Sequence, residues 1–155
     1  MTRRTYILAA AGGSLALLLA AFFFQALGWA PCAMCLWQRW PHAAAVAFGA
    51  IGAVLPTRLI ALGGAISAAT TTGLAIFHSG VERKLWDGPA SCSSGADQLS
   101  GLSGNALLPG ASDAPALVLC DTLTPFLFGL TMANWNALAS LALMGVWIMA
   151  LRKNA

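Results

Sequence analysis

Residues 59–81, LIALGGAISAATTTGLAIFHSGV, contain no charged side chain and are long enough to cross a lipid bilayer. A spanning helix needs about 20 mostly apolar residues. By the same criterion, we predict spans at 6–30, 36–55, 59–81 and 131–151. The sequence therefore predicts an all-α integral membrane protein, a four-helix bundle in which residues 1–155 form a single membrane domain.

The composition supports a location in the membrane. Of the 155 residues, 59% are hydrophobic and 8% are charged, whereas soluble domains are about 25% charged. A soluble globule with so few charges would expose large apolar patches and aggregate. The composition therefore excludes an ordinary soluble enzyme, a disordered chain and a nucleic-acid binder with a basic face. The net charge of +3 is too small to indicate an acidic partner.

The first apolar segment has a second interpretation as a cleaved signal peptide, because Arg3 and Arg4 precede it. The apolar run is too long for a typical signal peptide, and Pro31 follows the only plausible small-residue cleavage site. We therefore expect this segment to be retained as a span.

The placement of charges predicts the orientation in the membrane. Five basic residues lie at the N-terminus, in the connection between the second and third spans, and at the C-terminus: Arg3, Arg4, Arg58, Arg152 and Lys153. The opposite side holds three basic residues and all five acidic ones. Because basic residues concentrate on the cytoplasmic side, both termini are expected there. The external loops are then a short one at 31–38 and a long one at 82–130, whose Gly- and Ser-rich middle predicts mobility.

All four cysteines fall in the predicted external loops: Cys32, Cys35, Cys92 and Cys120. The outside of the membrane is the oxidising side, where disulfides persist. Residues 32–35 form a Cys-x-x-Cys sequence, and the thiols of such sequences often have lowered pKa values and exchange readily. The cysteines therefore favour thiol redox chemistry at the head of the second helix.

The cysteines also allow two roles without redox chemistry. They could form static structural disulfides, or they could bind a metal through four thiolates. Zinc sites usually pair two Cys-x-x-Cys knuckles or add histidine, and this chain has one knuckle. Covalent haem attachment is disfavoured because Leu36, and not histidine, follows Cys35.

Arg39 lies four residues after Cys35, one turn along a continuous helix and on the same face. A charged residue at the membrane boundary is costly and usually functional. Its guanidinium can hold a thiolate and donate to a carbonyl oxygen, although a snorkelling interfacial arginine is the alternative. Pro41 makes the one-turn geometry less secure because it lacks a backbone donor. His42 is a further candidate, for which an interfacial polar residue is the preferred interpretation.

Residues 31–39, Pro-Cys-Ala-Met-Cys-Leu-Trp-Gln-Arg, resemble the P-C-x-x-C-x-x-x-R segment of the DsbB disulfide bond formation proteins. Residues 129–135 also resemble the segment that opens the fourth span of that family. The resemblance covers essentially the whole chain. It implies a thiol oxidase of the bacterial inner membrane that reoxidises a periplasmic DsbA-type partner and passes electrons to a membrane quinone, either ubiquinone or menaquinone.

The resemblance also implies roles for the four cysteines. Cys92 would form the mixed disulfide with the partner protein. Cys120 would be its resolving mate and would exchange with Cys32. Cys35 would be the thiolate that faces the quinone ring.

Three further residues match quinone contacts of the family: Arg39, His78 and Met132. Gln38 departs from the pattern, because the family often has glutamate there and a carboxylate proton role is absent at this position. The rival enzyme class, the vitamin K epoxide reductases, shares a four-helix core but carries its Cys-x-x-Cys on a late helix. The rival from another class is a metal-binding or structural tetraspan protein with static disulfides.

Overall fold

The computed structural model describes residues 1–89, Cys92 and residues 119–153. The helices in these ranges are α1 (Arg3–Ala26), α2 (Ala33–Val54), α3 (Arg58–Glu82) and α4 (Met132–Arg152). A short antiparallel hairpin, β1 (Pro125–Leu127) and β2 (Leu130–Thr131), precedes α4. The part of the second loop predicted to be mobile lies outside the described residues. The protein is thus mostly helical, as the sequence predicts.

Each of these helices begins directly after a residue whose side chain caps it. The capping side chains of Thr2, Cys32, Thr57 and Thr131 accept hydrogen bonds from the backbone N–H groups three residues later. Such caps satisfy donors that the first helical turn leaves free. Threonine caps three of the helices, whereas α2 is capped by the sulfur of Cys32. The capping interaction therefore places a thiol at the N-terminus of α2.

The helices pack in a ring. α3 packs against α2 and α4, α1 packs against the same two helices, and α1 and α3 make few contacts with each other. Small residues allow the close approach, since Gly49 lies against Ala11 and Gly64 lies against the ring of Trp147. The core of the bundle includes Ile7 and Trp147, both fully buried.

Arg3 closes one end of the bundle. The residue is 7% exposed, and its guanidinium donates to three backbone carbonyls. Nε donates to Ala150 at 3.3 Å, Nη1 donates to Pro56 at 3.0 Å, and Nη2 donates to Lys153. This one side chain therefore connects the start of α1, the α2–α3 connection and the end of α4.

Three helices, α1, α3 and α4, are long and apolar enough to cross a membrane. Their outer faces carry large apolar side chains exposed outside the bundle, among them Leu19, Leu59, Ile66 and Leu138. Exposure on this scale marks a surface that contacts lipid or another apolar partner. The prediction of a membrane protein is supported on this point.

α2 differs from the other helices because polar residues interrupt its apolar sequence between Gln38 and His42. It nevertheless continues through Pro41 to Val54. Cys35 and Arg39 therefore lie one turn apart on one continuous helix, as the spacing predicts. The loss of one backbone donor at Pro41 does not end the helix.

Candidate active site

The four cysteines lie in one cluster at the end of the bundle where α2 begins. Cys32, Cys92 and Cys120 are buried together with Met34 and Val81, and Cys35 packs against them. Cys92 and Cys120 form a disulfide, with 4.9 Å between their Cα atoms, whereas Cys32 and Cys35 are free thiols. The cluster thus holds one disulfide and one dithiol side by side.

The sulfur atoms of Cys32 and Cys35 are in direct contact. Their sulfurs lie 2.9 Å apart, with Cys32 as the donor, and Cys32 Sγ also accepts from the backbone N–H of Cys35 at 3.3 Å. The hydrogen bond that Cys32 donates raises the pKa of its own thiol. The same bond lowers the pKa of the Cys35 thiol, which accepts it. Cys35 is therefore the more acidic thiol of the pair.

His78 joins this pair from α3. Its Nε2 lies 3.6 Å from Cys32 Sγ and 4.0 Å from Oε1 of Glu82, one turn further along α3. Glu82 is 5% exposed, and its Oε2 accepts a hydrogen bond from Thr131 Oγ1 at 2.6 Å. The carboxylate of Glu82, the imidazole of His78 and the thiol of Cys32 thus lie next to one another at the cysteine cluster.

A second polar group lies deeper in the bundle, between α2 and α4. Asn136 Nδ2 donates to Gln38 Oε1 at 2.6 Å, and Asn136 Oδ1 lies 3.0 Å from His42 Nε2. Thr71 and Ser140 also contact His42 Nε2, at 3.3 and 3.4 Å. The interpretation of His42 as an interfacial polar residue is wrong, because the residue is 4% exposed and its ring contacts side chains in the interior of the bundle.

Arg39 is half-buried between α2 and α1. Its Nη1 donates to Gln25 Oε1 at 2.7 Å, and its Cζ lies 4.8 Å from the centre of the Phe22 ring. Both contacts orient the guanidinium, the second through a cation–π interaction. The positive charge also lowers the pKa of Cys35, whereas the negative charge of Glu82 raises it.

A cavity of about 360 Å³ adjoins the cysteine cluster. Ligand sites commonly measure about 300–1,000 Å³ and are mostly apolar with a few polar groups. The lining includes Cys32, Cys35 and Cys120, together with Arg39, His78 and Met132. Every predicted site residue except Cys92 therefore lines this cavity, and Cys92 belongs to the same cysteine cluster through its bond to Cys120.

The reduced pair and His78 are also the metal-binding candidates among the described residues. Cys32 Sγ, Cys35 Sγ and the imidazole nitrogen all lie within 4.8 Å of one another. Two thiolates on one tetrahedral zinc ion would be about 3.8 Å apart, given a Zn–S distance of about 2.3 Å. The observed 2.9 Å between the sulfurs is shorter than this, so the thiols would have to separate to hold a metal.

The model of the family described as disulfide bond formation protein DsbB matches residues 3–150. The chain belongs to the DsbB family. The resemblance seen on residues 31–39 is therefore confirmed, and DsbB membership assigns an oxidoreductase role in disulfide bond formation. No curated protein and no solved structure matches the chain.

Part of the site cannot be predicted from the sequence. The sequence shows Glu82 only as an external charge, and its burial against Thr131 depends on the hairpin that precedes α4. Asn136 stands out as polar within an apolar segment, but nothing in the sequence indicates its pairing with Gln38. For Asn136, the one signal in the sequence is that a polar residue lies inside a predicted span.

Proposed function

We propose that the protein is a membrane thiol:quinone oxidoreductase that reoxidises a DsbA-type thiol oxidase. Electrons would pass from the partner dithiol to Cys92–Cys120, then to Cys32–Cys35, and then to a membrane quinone, ubiquinone or menaquinone. The observation that carries this proposal is the single cluster in which a disulfide lies beside a dithiol at the wall of an apolar cavity.

The thiol steps need only the dithiol of the partner and the four cysteines of this chain. A partner thiolate attacks Cys92, a sulfur–sulfur bond forms between the proteins, and Cys120 leaves as a thiolate. The second thiol of the partner attacks the partner sulfur of this mixed disulfide, which releases the oxidised partner and the Cys92 thiolate. Cys120 attacks the oxidised Cys32–Cys35 pair at Cys32, and Cys35 leaves as a thiolate with the electron pair. Each step exchanges one disulfide bond for another. The burial of Cys120 beside Cys32 supports this order, because the exchange requires near contact between the sulfurs.

The cavity fits a quinone. Its walls are mainly apolar, with aromatic residues such as Phe24 and Trp29, while Cys35, Arg39 and His78 supply polar groups. A bound quinone would accept the two electrons and two protons that the dithiol releases. Arg39 would donate hydrogen bonds to a carbonyl oxygen, and Met132 would provide an apolar contact. Cys32 and Cys120 are buried beside the cavity, and a poorly hydrated site strengthens such electrostatic interactions.

The same proposal places the protein in the bacterial inner membrane. Spans at 6–30, 36–55, 59–81 and 131–151 would leave both termini in the cytoplasm and the cysteines on the periplasmic side. The excess of basic residues on the side of the termini supports this orientation. The quinone pool lies in the same bilayer. The quinone would therefore reach the cysteine cluster from the membrane, and the partner protein would reach it from the periplasm.

A direct test is to purify the protein from membranes and analyse its organic extract for quinone beside a metal analysis of the protein. We expect quinone in the extract and quinone-dependent oxidation of a reduced DsbA-type protein. Cys35→Ser should abolish the oxidation, whereas Thr72→Val, a buried isosteric change on α3, should retain it. Stoichiometric metal without quinone, and no oxidation, would instead support the metal-binding tetraspan alternative.

A further inference from the structure

Two side chains, Asn136 and Gln38, link the two histidines by hydrogen bonds that all run in one direction. The backbone carbonyl of Met34 determines that direction, because a carbonyl only accepts. Gln38 Nε2 donates to it at 3.2 Å, which identifies the nitrogen of this amide. Gln38 Oε1 is then the acceptor of the bond from Asn136 Nδ2. Asn136 Oδ1 in turn faces His42, whose Nε2 must donate.

The orientation of Gln38 also determines the tautomer of His78. Gln38 Nε2 lies 2.9 Å from His78 Nδ1, and an amide nitrogen only donates. His78 Nδ1 is therefore the acceptor, and a neutral imidazole then carries its proton on Nε2. A doubly protonated ring would place two donors against each other at this contact.

The surroundings of His78 Nε2 suit a donor. Cys32 Sγ lies at 3.6 Å, and Glu82 Oε1 lies at 4.0 Å. Each of these can accept a hydrogen bond. Cys32 in turn donates to Cys35 Sγ at 2.9 Å. The hydrogen bonds that begin at His42 and run in one direction therefore end on the sulfur of Cys35.

We propose that Gln38 is a positioning residue that holds neutral His78 as its Nε2–H tautomer, so that the ring donates to Cys32 and, through Cys32, stabilises the Cys35 thiolate. An amide does not release a proton under ordinary conditions. The hydrogen bonds from His42 to His78 therefore fix which atom donates at each contact, and they do not conduct protons. The position that departs from the family pattern thus has a definite task in this chain.

The inference deepens the proposed function, on which its catalytic consequence rests. When Cys92 attacks Cys120 in a Cys120–Cys32 mixed disulfide, the Cys92–Cys120 bond forms and the Cys120–Cys32 bond breaks. Cys32 then leaves as a thiolate with the electron pair. The Nε2–H of His78 is placed to donate to that developing charge. His78 touches a reacting atom, whereas Gln38 acts through His78.

Two charged groups modulate the same sulfurs. Glu82 on α3 and Arg39 on α2 act on Cys35 in opposite directions. The side chains that line the cavity from α1 and α4 are uncharged in the described part of the chain. A substitution that adds a charge can therefore act on the Cys35 thiol through that charge alone, and the experiment needs a control variant that adds the same charge elsewhere.

The first measurement is ¹⁵N NMR of the histidine rings in the full-length protein in lipid nanodiscs. The chain has two histidines, so the signals are assigned with one His42 variant. Gln38→Glu replaces the donor with a carboxylate that only accepts, and we expect the proton of His78 to move to Nδ1. Asn136→Asp should cause the same change without touching His78, because Gln38 must rotate its amide to donate to the new carboxylate. Asn134→Asp adds the same charge on the same helix outside this set of hydrogen bonds and should leave the tautomer unchanged.

The second measurement is the rate of Cys35 alkylation against pH, mapped by mass spectrometry. Loss of the donated bond should lower the rate at neutral pH by roughly tenfold in Gln38→Glu and Asn136→Asp. Asn134→Asp should change it clearly less. Retention of the Nε2 proton in Gln38→Glu, or a changed tautomer with the pH profile of the Asn134→Asp control, overturns the inference. Neither readout involves quinone or a partner, so failure of the proposed electron path is detected separately.

Discussion

Arg39 Nη1 donates to Gln25 Oε1 at 2.7 Å, and this bond joins the thiol-bearing end of α2 to α1. The guanidinium is held at the side of the cavity that Cys35 also lines. α1 contributes much of the apolar wall, including Leu17, Leu18 and Phe24. The contact therefore couples the wall of the proposed quinone site to the group that would bind the quinone oxygen.

Arg39→Gln should raise the quinone KM and weaken the Cys35 thiolate, with losses of roughly ten- to a hundredfold. A charge-assisted hydrogen bond to the quinone oxygen would be lost, together with a positive charge near the thiolate. Arg39→Lys should be partly defective because it keeps the charge but loses the planar fork. Steady-state rates against quinone concentration measure both effects.

The control for Arg39 is trapping of the mixed disulfide between Cys92 and the partner protein. This step should be nearly unchanged in both variants, because Arg39 contacts Gln25 and Phe22 and no part of the Cys92–Cys120 disulfide. A normal quinone dependence in Arg39→Gln would reduce the residue to an interfacial anchor.

Cys92→Ser should abolish oxidation of the partner while leaving quinone bound. Cys92 is the cysteine that does not line the cavity, so its loss removes the proposed entry point for electrons and leaves the proposed quinone wall intact. Quinone content of the purified variant and its rate of partner oxidation are the two measurements. A variant that oxidises the partner at the native rate would show that the assigned electron path is wrong.

Arg3→Met should destabilise the bundle without changing the thiols. The substitution leaves the carbonyls of Ala150, Pro56 and Lys153 without their donor at a buried helix end. We expect a loss of about 1.5–3 kcal/mol in the free energy of unfolding. Thermal unfolding in a single detergent measures it, with Arg4→Met, an exposed neighbour, as the control. Equal unfolding temperatures for the two variants would contradict the role of Arg3.

Helices α1, α3 and α4 were predictable from sequence because an uncharged run long enough to span a bilayer is a local property. The cap of α2 and the alignment of Cys35 with Arg39 are local as well, since both follow from helical spacing. The hairpin before α4 was not predicted. Its strands of three and two residues are too short to show an alternating pattern.

The candidate site was predictable only where one segment carried the signal. The Cys-x-x-Cys sequence and Arg39 both lie within residues 31–39 and could be interpreted together. Gln38, His78 and Asn136 come from three helices, and their hydrogen bonds depend on how those helices pack. The burial of Glu82 is a tertiary property of the same kind, since Thr131 reaches it across the whole second loop.

Glu82→Gln should shift the reactivity of Cys35 toward lower pH. The negative charge of Glu82 raises the pKa of Cys35, so removing the charge lowers that pKa. The thiolate fraction of Cys35 then increases at pH values close to its pKa. Glutamine keeps an oxygen that can accept from Thr131, so the contact that α3 makes with the start of α4 is retained. The pH dependence of Cys35 alkylation measures the shift. Asp87→Asn, which removes an exposed acid after the same helix, should leave the profile where it is. A profile that moves to higher pH in Glu82→Gln would show that the carboxylate stabilises the thiolate through His78 more than its charge opposes it.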